Sequence, residues 1–136
     1  MTRSGFRQLT DVRVAEAKAL LDAGMWDGAY YLAGYAVEFA LKACIAKLTR
    51  AEDFPPRETR DYYTHDVARL RKSAGLDAAR KAEAGANPTF QTYWLVAESW
   101  DEESRYARKS EVEAQDLYQA VTDPTNGALQ WIRGHW

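Results

Sequence analysis

The stretch RDYYTH, residues 60–65, combines two residue types that can cleave or grip a phosphodiester. Arg60 can hold phosphate through its planar fork of donors. His65 belongs to the type that most often transfers protons near neutral pH. The pair can act only if both side chains reach one ligand. Arg60, however, follows the loop FPPRE at 54–58, whereas His65 precedes a short predicted helix.

A second group of polar residues follows helical spacing on the longest predicted helix, residues 26–49. Tyr31, Tyr35, Glu38 and Lys42 recur at i, i+4, i+7 and i+11. The other faces of this helix are apolar, which predicts a central position in the fold. Polar groups on a central helix need partners. We therefore treat Tyr35, Glu38 and Lys42 as candidate site residues.

The sequence contains few soft-metal ligands. Cys44, His65 and His135 are scattered along the chain, so no zinc site is expected, although carboxylate-bound magnesium stays open. No nucleophile elbow, phosphate-binding loop or dinucleotide fingerprint occurs. We accordingly predict no metal and no cofactor.

Composition limits the class of protein. The chain has 136 residues and a net charge of −2, which fits one domain over residues 1–136 and requires any nucleic-acid surface to be a local patch. A single cysteine, Cys44, favours a reducing, cytoplasmic environment. The apolar stretch 29–48 contains Glu38 and Lys42, so we expect a buried helix and no membrane association.

Almost every segment has helical periodicity, and no run has the alternation of a strand. We predict an all-α, up-and-down four-helix bundle with additional short helices. Asp61 or Thr64 is expected to cap a short helix reaching Lys72, and Ser110 with Glu113 forms a predicted capping box. Asp123-Pro124 is expected to open the last helix. The predicted helices are 6–23, 26–49, one ending at 72, 76–84, one ending near 100, 110–122 and a last short helix from 123.

The order of several motifs resembles that of HEPN domains, which are all-helical and linked to nucleotide binding. The opening pair AEAKALLDAGMWDGAYYLAGYAVEFALKACIAK resembles the first two helices of that family. THDVARL resembles its short helix that opens with histidine. ESRY and EAQDLYQAV resemble its Arg-Tyr segment and last long helix. The resemblance covers residues 9–132 and implies a HEPN-like bundle.

HEPN ribonucleases carry an arginine and, four to six residues later, a histidine. The corresponding arginine here is Arg105, in SRYARKSEVEAQ, and no histidine lies between Arg105 and His135. The ribonuclease pair is therefore incomplete, and we interpret RDYYTH as a chance match in the wrong place. We assign no catalytic residue, with Arg60 and His65 as the only alternative pair.

The resemblance implies a homodimer that binds a nucleotide or RNA without cleaving it. It also suggests a partner, a separate minimal nucleotidyltransferase, in a toxin–antitoxin-like module. Two alternatives stay open, namely a ribonuclease toxin with a degenerate motif and a structural dimer that scaffolds a partner protein. The expected ligand-binding residues are Tyr35, Glu38, Lys42, His65, Arg105 and Tyr106.

Overall fold

The computed structural model describes residues 1–48 and 63–136, and over these residues the chain forms helices and no strand. The all-α prediction is confirmed. The elements, numbered here along the chain, are α1 (Arg3–Asp22), α2 (Trp26–Leu48), α3 (Val67–Ser73), α4 (Asp77–Ala86), α5 (Pro88–Glu98), a 3-10 helix (Glu102–Tyr106), α6 (Glu111–Thr122) and α7 (Ala128–Arg133).

Four longer helices, α1, α2, α5 and α6, form the bundle. Gly24 has a φ of 75°, a left-handed conformation that glycine adopts without steric cost, and it turns the chain from α1 into α2. α1 begins at Arg3, earlier than predicted, because the Thr2 hydroxyl accepts a hydrogen bond from the Gly5 amide at 3.0 Å. α2 contacts α1, α3, α6, α7 and the 3-10 helix.

Helix α2 lies at the centre of the fold, as its two apolar stripes predict. Ten of its residues are buried, among them Leu41, Cys44 and the charged Glu38. Burial raises the pKa of the Cys44 thiol to about 11, so the thiol is neutral near pH 7. Tyr30 and Tyr31 both lie half-buried against the core.

Two predicted helix starts are wrong. Asp66 caps α3 by accepting from the Arg69 amide at 3.0 Å, whereas Thr64 accepts from the Asp66 amide just outside the helix. Asp61, the other proposed cap, lies outside the described residues. Asp123 does not cap α7. Its carboxylate accepts from the Asn126 amide at 2.8 Å and closes a turn.

α7 begins instead at Ala128, after Gly127. The capping box of Ser110 and Glu113 forms as predicted at the start of α6. None of the helices within the described ranges is long and apolar enough to cross a membrane.

Candidate functional site

The site begins with a buried carboxylate on the central helix. Glu38 has a side chain that is only 1% exposed. Its Oε2 accepts from the Lys42 Nζ at 3.1 Å, one turn along α2, and its Oε1 lies 2.6 Å from His65 Nδ1. A buried charge is tolerated only when it is paired and hydrogen-bonded. Lys42 and His65 supply that pairing, so the three residues form one unit.

His65 connects this unit to the 3-10 helix. Its Nε2 lies 3.0 Å from Glu102 Oε2, so each ring nitrogen has a carboxylate partner. The Tyr35 ring lies 6.0 Å from the His65 ring. Burial, together with the carboxylates of Glu38 and Glu102, raises the pKa of Tyr35. The Tyr35 hydroxyl is therefore protonated near pH 7.

Trp100 places the 3-10 helix beside His65. The indole packs against Tyr31 and Tyr35 of α2, with ring centroids at 6.0 and 5.9 Å. It fits there because Gly34 has no side chain, since a Cβ on Gly34 would overlap the Trp100 ring. Beyond the 3-10 helix, the Asp27 carboxylate accepts a hydrogen bond from the Lys109 amide at 2.6 Å and so holds the following residues against α2.

Arg105 and Tyr106 form the exposed edge of the site. Successive turns of a 3-10 helix align residues three apart, so Arg105 lies on the same face as Glu102. The Arg105 guanidinium is 4.7 Å from the ring of Tyr106, which is 73% exposed. Tyr106, with smaller effects from Tyr31 and Glu102, raises the pKa of Arg105. Within the described residues Arg105 makes no salt bridge, although it stands near Glu102.

The neighbouring cations are already engaged. Arg108 Nε lies 2.9 Å from Asp27 Oδ2. Lys109 lies 3.7 Å from Glu113 and 4.4 Å from the centre of the Tyr30 ring. Arg105 is thus the member of this basic group whose charge is least compensated.

A polar cleft of about 340 Å³ opens beside His65, between the start of α3 and the segment after α5. Its carboxylates include those of Glu98 and Glu102, and Glu98 pairs with Arg71. Because this side is acidic, an anionic group fits better at Arg105 than inside the cleft. No group of His, Cys, Asp and Glu side chains suited to a metal ion occurs among residues 1–48 and 63–136.

The structure brings most of the predicted site residues together. Glu38, Lys42 and His65 are in contact, Tyr35 packs beside them, and Arg105 with Tyr106 is adjacent through Glu102. Arg60 lies outside the described residues. Sequence reasoning missed Glu102 and Trp100. The position of Glu102 three residues before Arg105 was the available signal, because it places both on one face of a short helix.

Comparison with known families identifies the family of the fold. The family model described as HEPN domain matches residues 11–123, from α1 to the end of α6. The chain belongs to the HEPN domain family. Comparison with curated proteins and with solved structures gave no match. HEPN membership supports a function connected with nucleotides or RNA.

His135 is the first histidine after Arg105 in the sequence. Its ring contacts the Trp131 ring, with centroids 4.7 Å apart.

Proposed function

We propose that this HEPN protein binds a nucleotide or RNA without cleaving it, at the surface formed by Arg105 and Tyr106. The observation that carries the proposal is the exposed Arg105 guanidinium beside an exposed aromatic ring, with its nearest acidic neighbour already paired to His65. A guanidinium can hold phosphate through two parallel hydrogen bonds. A tyrosine ring next to it offers a face on which a base can stack.

The buried residues position this surface in our proposal. His65 holds Glu102 and thereby keeps its carboxylate from Arg105. Glu38 orients His65, and Lys42 balances the charge of Glu38 rather than reaching a ligand. Tyr35 packs against His65. Losing one partner of a buried ion pair costs roughly 3–5 kcal/mol, so substitution of Lys42 would mainly report on folding.

The lack of cleavage follows from the same contacts. A general base needs a ring nitrogen that can reach the ribose hydroxyl. Both nitrogens of His65 are occupied by carboxylates, and Arg105 stays protonated at neutral pH. His65 and Arg105 both border Glu102, however. This arrangement keeps the ribonuclease alternative testable.

We also propose that the protein acts as a homodimer and as the partner of a minimal nucleotidyltransferase. The family resemblance suggests both. The exposed apolar side chains of Leu95, Tyr106 and Val112 support an interface in the later part of the chain. In the structural-scaffold alternative, the same exposed residues form the interface. That alternative differs from our proposal because no ligand binds at Arg105.

Titration of ATP and of a short single-stranded RNA against wild type and Arg105→Ala tests the binding site. Loss of a charge-assisted phosphate contact costs about 1.5–3 kcal/mol, so the variant should bind at least tenfold more weakly. Arg108→Ala is the matched control, because its charge is paired to Asp27. The control should bind within twofold of wild type.

Three results would contradict the proposal. If Arg105→Ala binds as well as wild type, the site is wrong. If wild type binds neither ligand, the structural-scaffold alternative becomes the better one. If the RNA is cleaved, and His65→Ala abolishes cleavage while the helical circular dichroism is unchanged, the protein is a ribonuclease with His65 as its proton-transfer residue.

A further inference from the structure

A second cluster of cations lies where three helix ends meet. The Arg3 guanidinium donates to an oxygen of Trp136 at 2.6 Å, which joins the start of α1 to the segment after α7. Lys47, in the last turn of α2, donates to the carbonyl oxygen of His135 at 3.3 Å. Residues far apart in sequence therefore form one surface, which we call the basic end: Arg3, Arg7, Lys47 and Arg133 around Trp136.

The indole of Trp136 restrains two of these cations. The Arg7 guanidinium carbon lies 4.8 Å from the centre of the ring, and that of Arg133 lies 5.5 Å from it. Both distances fall within the range of cation–π attraction. Side chains held in this way lose less conformational entropy when they bind a ligand. The donors of Arg7 and Arg133 are therefore partly ordered before any ligand arrives.

The positive charge of the basic end is only partly compensated. Arg133 pairs with Asp11 at 2.8 Å, and Arg3 is hydrogen-bonded to the Trp136 oxygen. In the part of the chain that the structure describes, Arg3, Arg7 and Lys47 form no ion pair with a side-chain carboxylate. Lys47 and Arg3 both lie close enough to Cys44 to act on the pKa of its thiol, lowering it while burial raises it. The charges of Lys47 and Arg3 therefore lie on the same side of the molecule.

This surface is distinct from the Arg105 site. Lys47 follows Lys42 by five residues on α2, which rotates it by about 140° around the helix axis. Lys42 is committed to Glu38, whereas Lys47 is exposed at the helix end. A ligand at the basic end thus meets residues that the Arg105 site does not use.

We propose that the basic end binds the phosphate backbone of RNA, independently of its sequence. Guanidinium groups in fixed planes match phosphate oxygens through paired hydrogen bonds. A membrane surface is a poorer fit. Trp136 is half-buried and carries two guanidinium groups, so it cannot enter the lipid interface as an anchoring tryptophan does. The contact is therefore made through charge.

Charge reversal at two positions tests this inference. Arg7→Glu/Lys47→Glu changes the net charge by four and removes two cations of the basic end. Lys72→Glu/Lys81→Glu is the matched control, because it makes the same change at two exposed lysines elsewhere. The probe is a fluorescein-labelled single-stranded RNA of mixed sequence, whose anisotropy is followed at several salt concentrations.

The first variant should bind the RNA at least tenfold more weakly, and the control should stay within threefold of wild type. Each lost phosphate contact should also lower the slope of log affinity against log salt by about 0.7. Binding of ATP should be unchanged in both variants. That result would separate the basic end from the Arg105 site, because failure of the proposed function would appear as equal ligand binding by Arg105→Ala and wild type.

Three outcomes would overturn the proposal. Equal weakening by both double variants would mean that only net charge matters. If wild type does not bind the RNA, RNA is not the ligand of the basic end. Binding to vesicles of phosphatidylserine and phosphatidylcholine, without binding to RNA, would assign the basic end to a membrane surface. Circular dichroism and thermal unfolding must show that both double variants are folded before affinities are compared.

Discussion

Glu102 lies next to both His65 and Arg105 at the exposed side of the site. Its carboxylate contacts His65 Nε2 at 3.0 Å, and it stands near Arg105 on the same face of the 3-10 helix. A ligand phosphate at Arg105 would therefore feel repulsion from Glu102 as well as attraction from Arg105. The size of that repulsion decides how strongly the site binds anions.

We expect Glu102→Gln to bind ATP about fivefold more tightly than wild type. Removing a charge close to a bound phosphate in a solvated site changes the free energy of binding by about 1 kcal/mol. Glu103→Gln is the control, because it removes the same charge from an exposed neighbouring residue. Isothermal titration calorimetry measures both. Weaker binding by Glu102→Gln would show instead that Glu102 holds the ligand or orients Arg105.

At the scale of elements, the contact between Gly34 and Trp100 sets the position of the site. Trp100 is buried between Tyr31 and Tyr35, and the 3-10 helix follows it directly. A methyl group at Gly34 would overlap the indole ring. The ring cannot move aside easily, because aromatic neighbours flank it.

Gly34→Ala should therefore lower the free energy of unfolding by about 1–3 kcal/mol, the usual cost of overpacking a core. Gly85→Ala is the control. Gly85 lies near the end of α4, where an added Cβ would meet no atom within 4 Å, so alanine there should be neutral or stabilise the protein by up to about 1 kcal/mol. Urea unfolding followed by circular dichroism compares the two. Equal effects at both positions would contradict the packing argument.

The longer helices could be predicted from sequence because their signals are local. Apolar periodicity places α1 and α2, and the Ser110–Glu113 capping box places the start of α6. α7 was misplaced because Asp-Pro also suits a turn, and the Asp123 carboxylate closes that turn instead of starting a helix. The choice depends on how the turn packs, which local sequence does not specify.

The candidate site was predictable in its parts but not as an assembly. Spacing on α2 brings Glu38 and Lys42 to one face. The contacts that complete the site join His65 to Glu38, 27 residues away, and to Glu102 on another element. Such contacts depend on how Trp100 packs against α2. The periodicity of a single helix does not predict how it packs against a residue of another element.

At the scale of the whole molecule, the exposed apolar side chains indicate where a dimer interface would lie. Tyr30, Tyr31 and Tyr35 of α2 pack against the core of their own chain. Exposed apolar surface remains in the later segment, where Tyr106 is 73% and Val112 is 64% exposed. We therefore expect the dimer interface to involve that segment.

We expect the protein to have twice the 15.4 kDa mass of one chain in light scattering at micromolar concentration, and Val112→Glu to give the monomer mass. In a twofold symmetric dimer each substitution occurs twice in the interface. Each copy loses the burial of a valine, about 1.5–3 kcal/mol, and adds a carboxylate that must be desolvated.

Val12→Glu is the matched control, because Val12 is an exposed valine on a different helix, α1. It should leave the dimer intact, and both variants should keep the helical circular dichroism of wild type. If Val12→Glu dissociates the dimer and Val112→Glu does not, the interface lies on α1. A wild-type mass of 15.4 kDa at every concentration would show that the protein is a monomer, and Arg105 would then have to bind its ligand without a second chain.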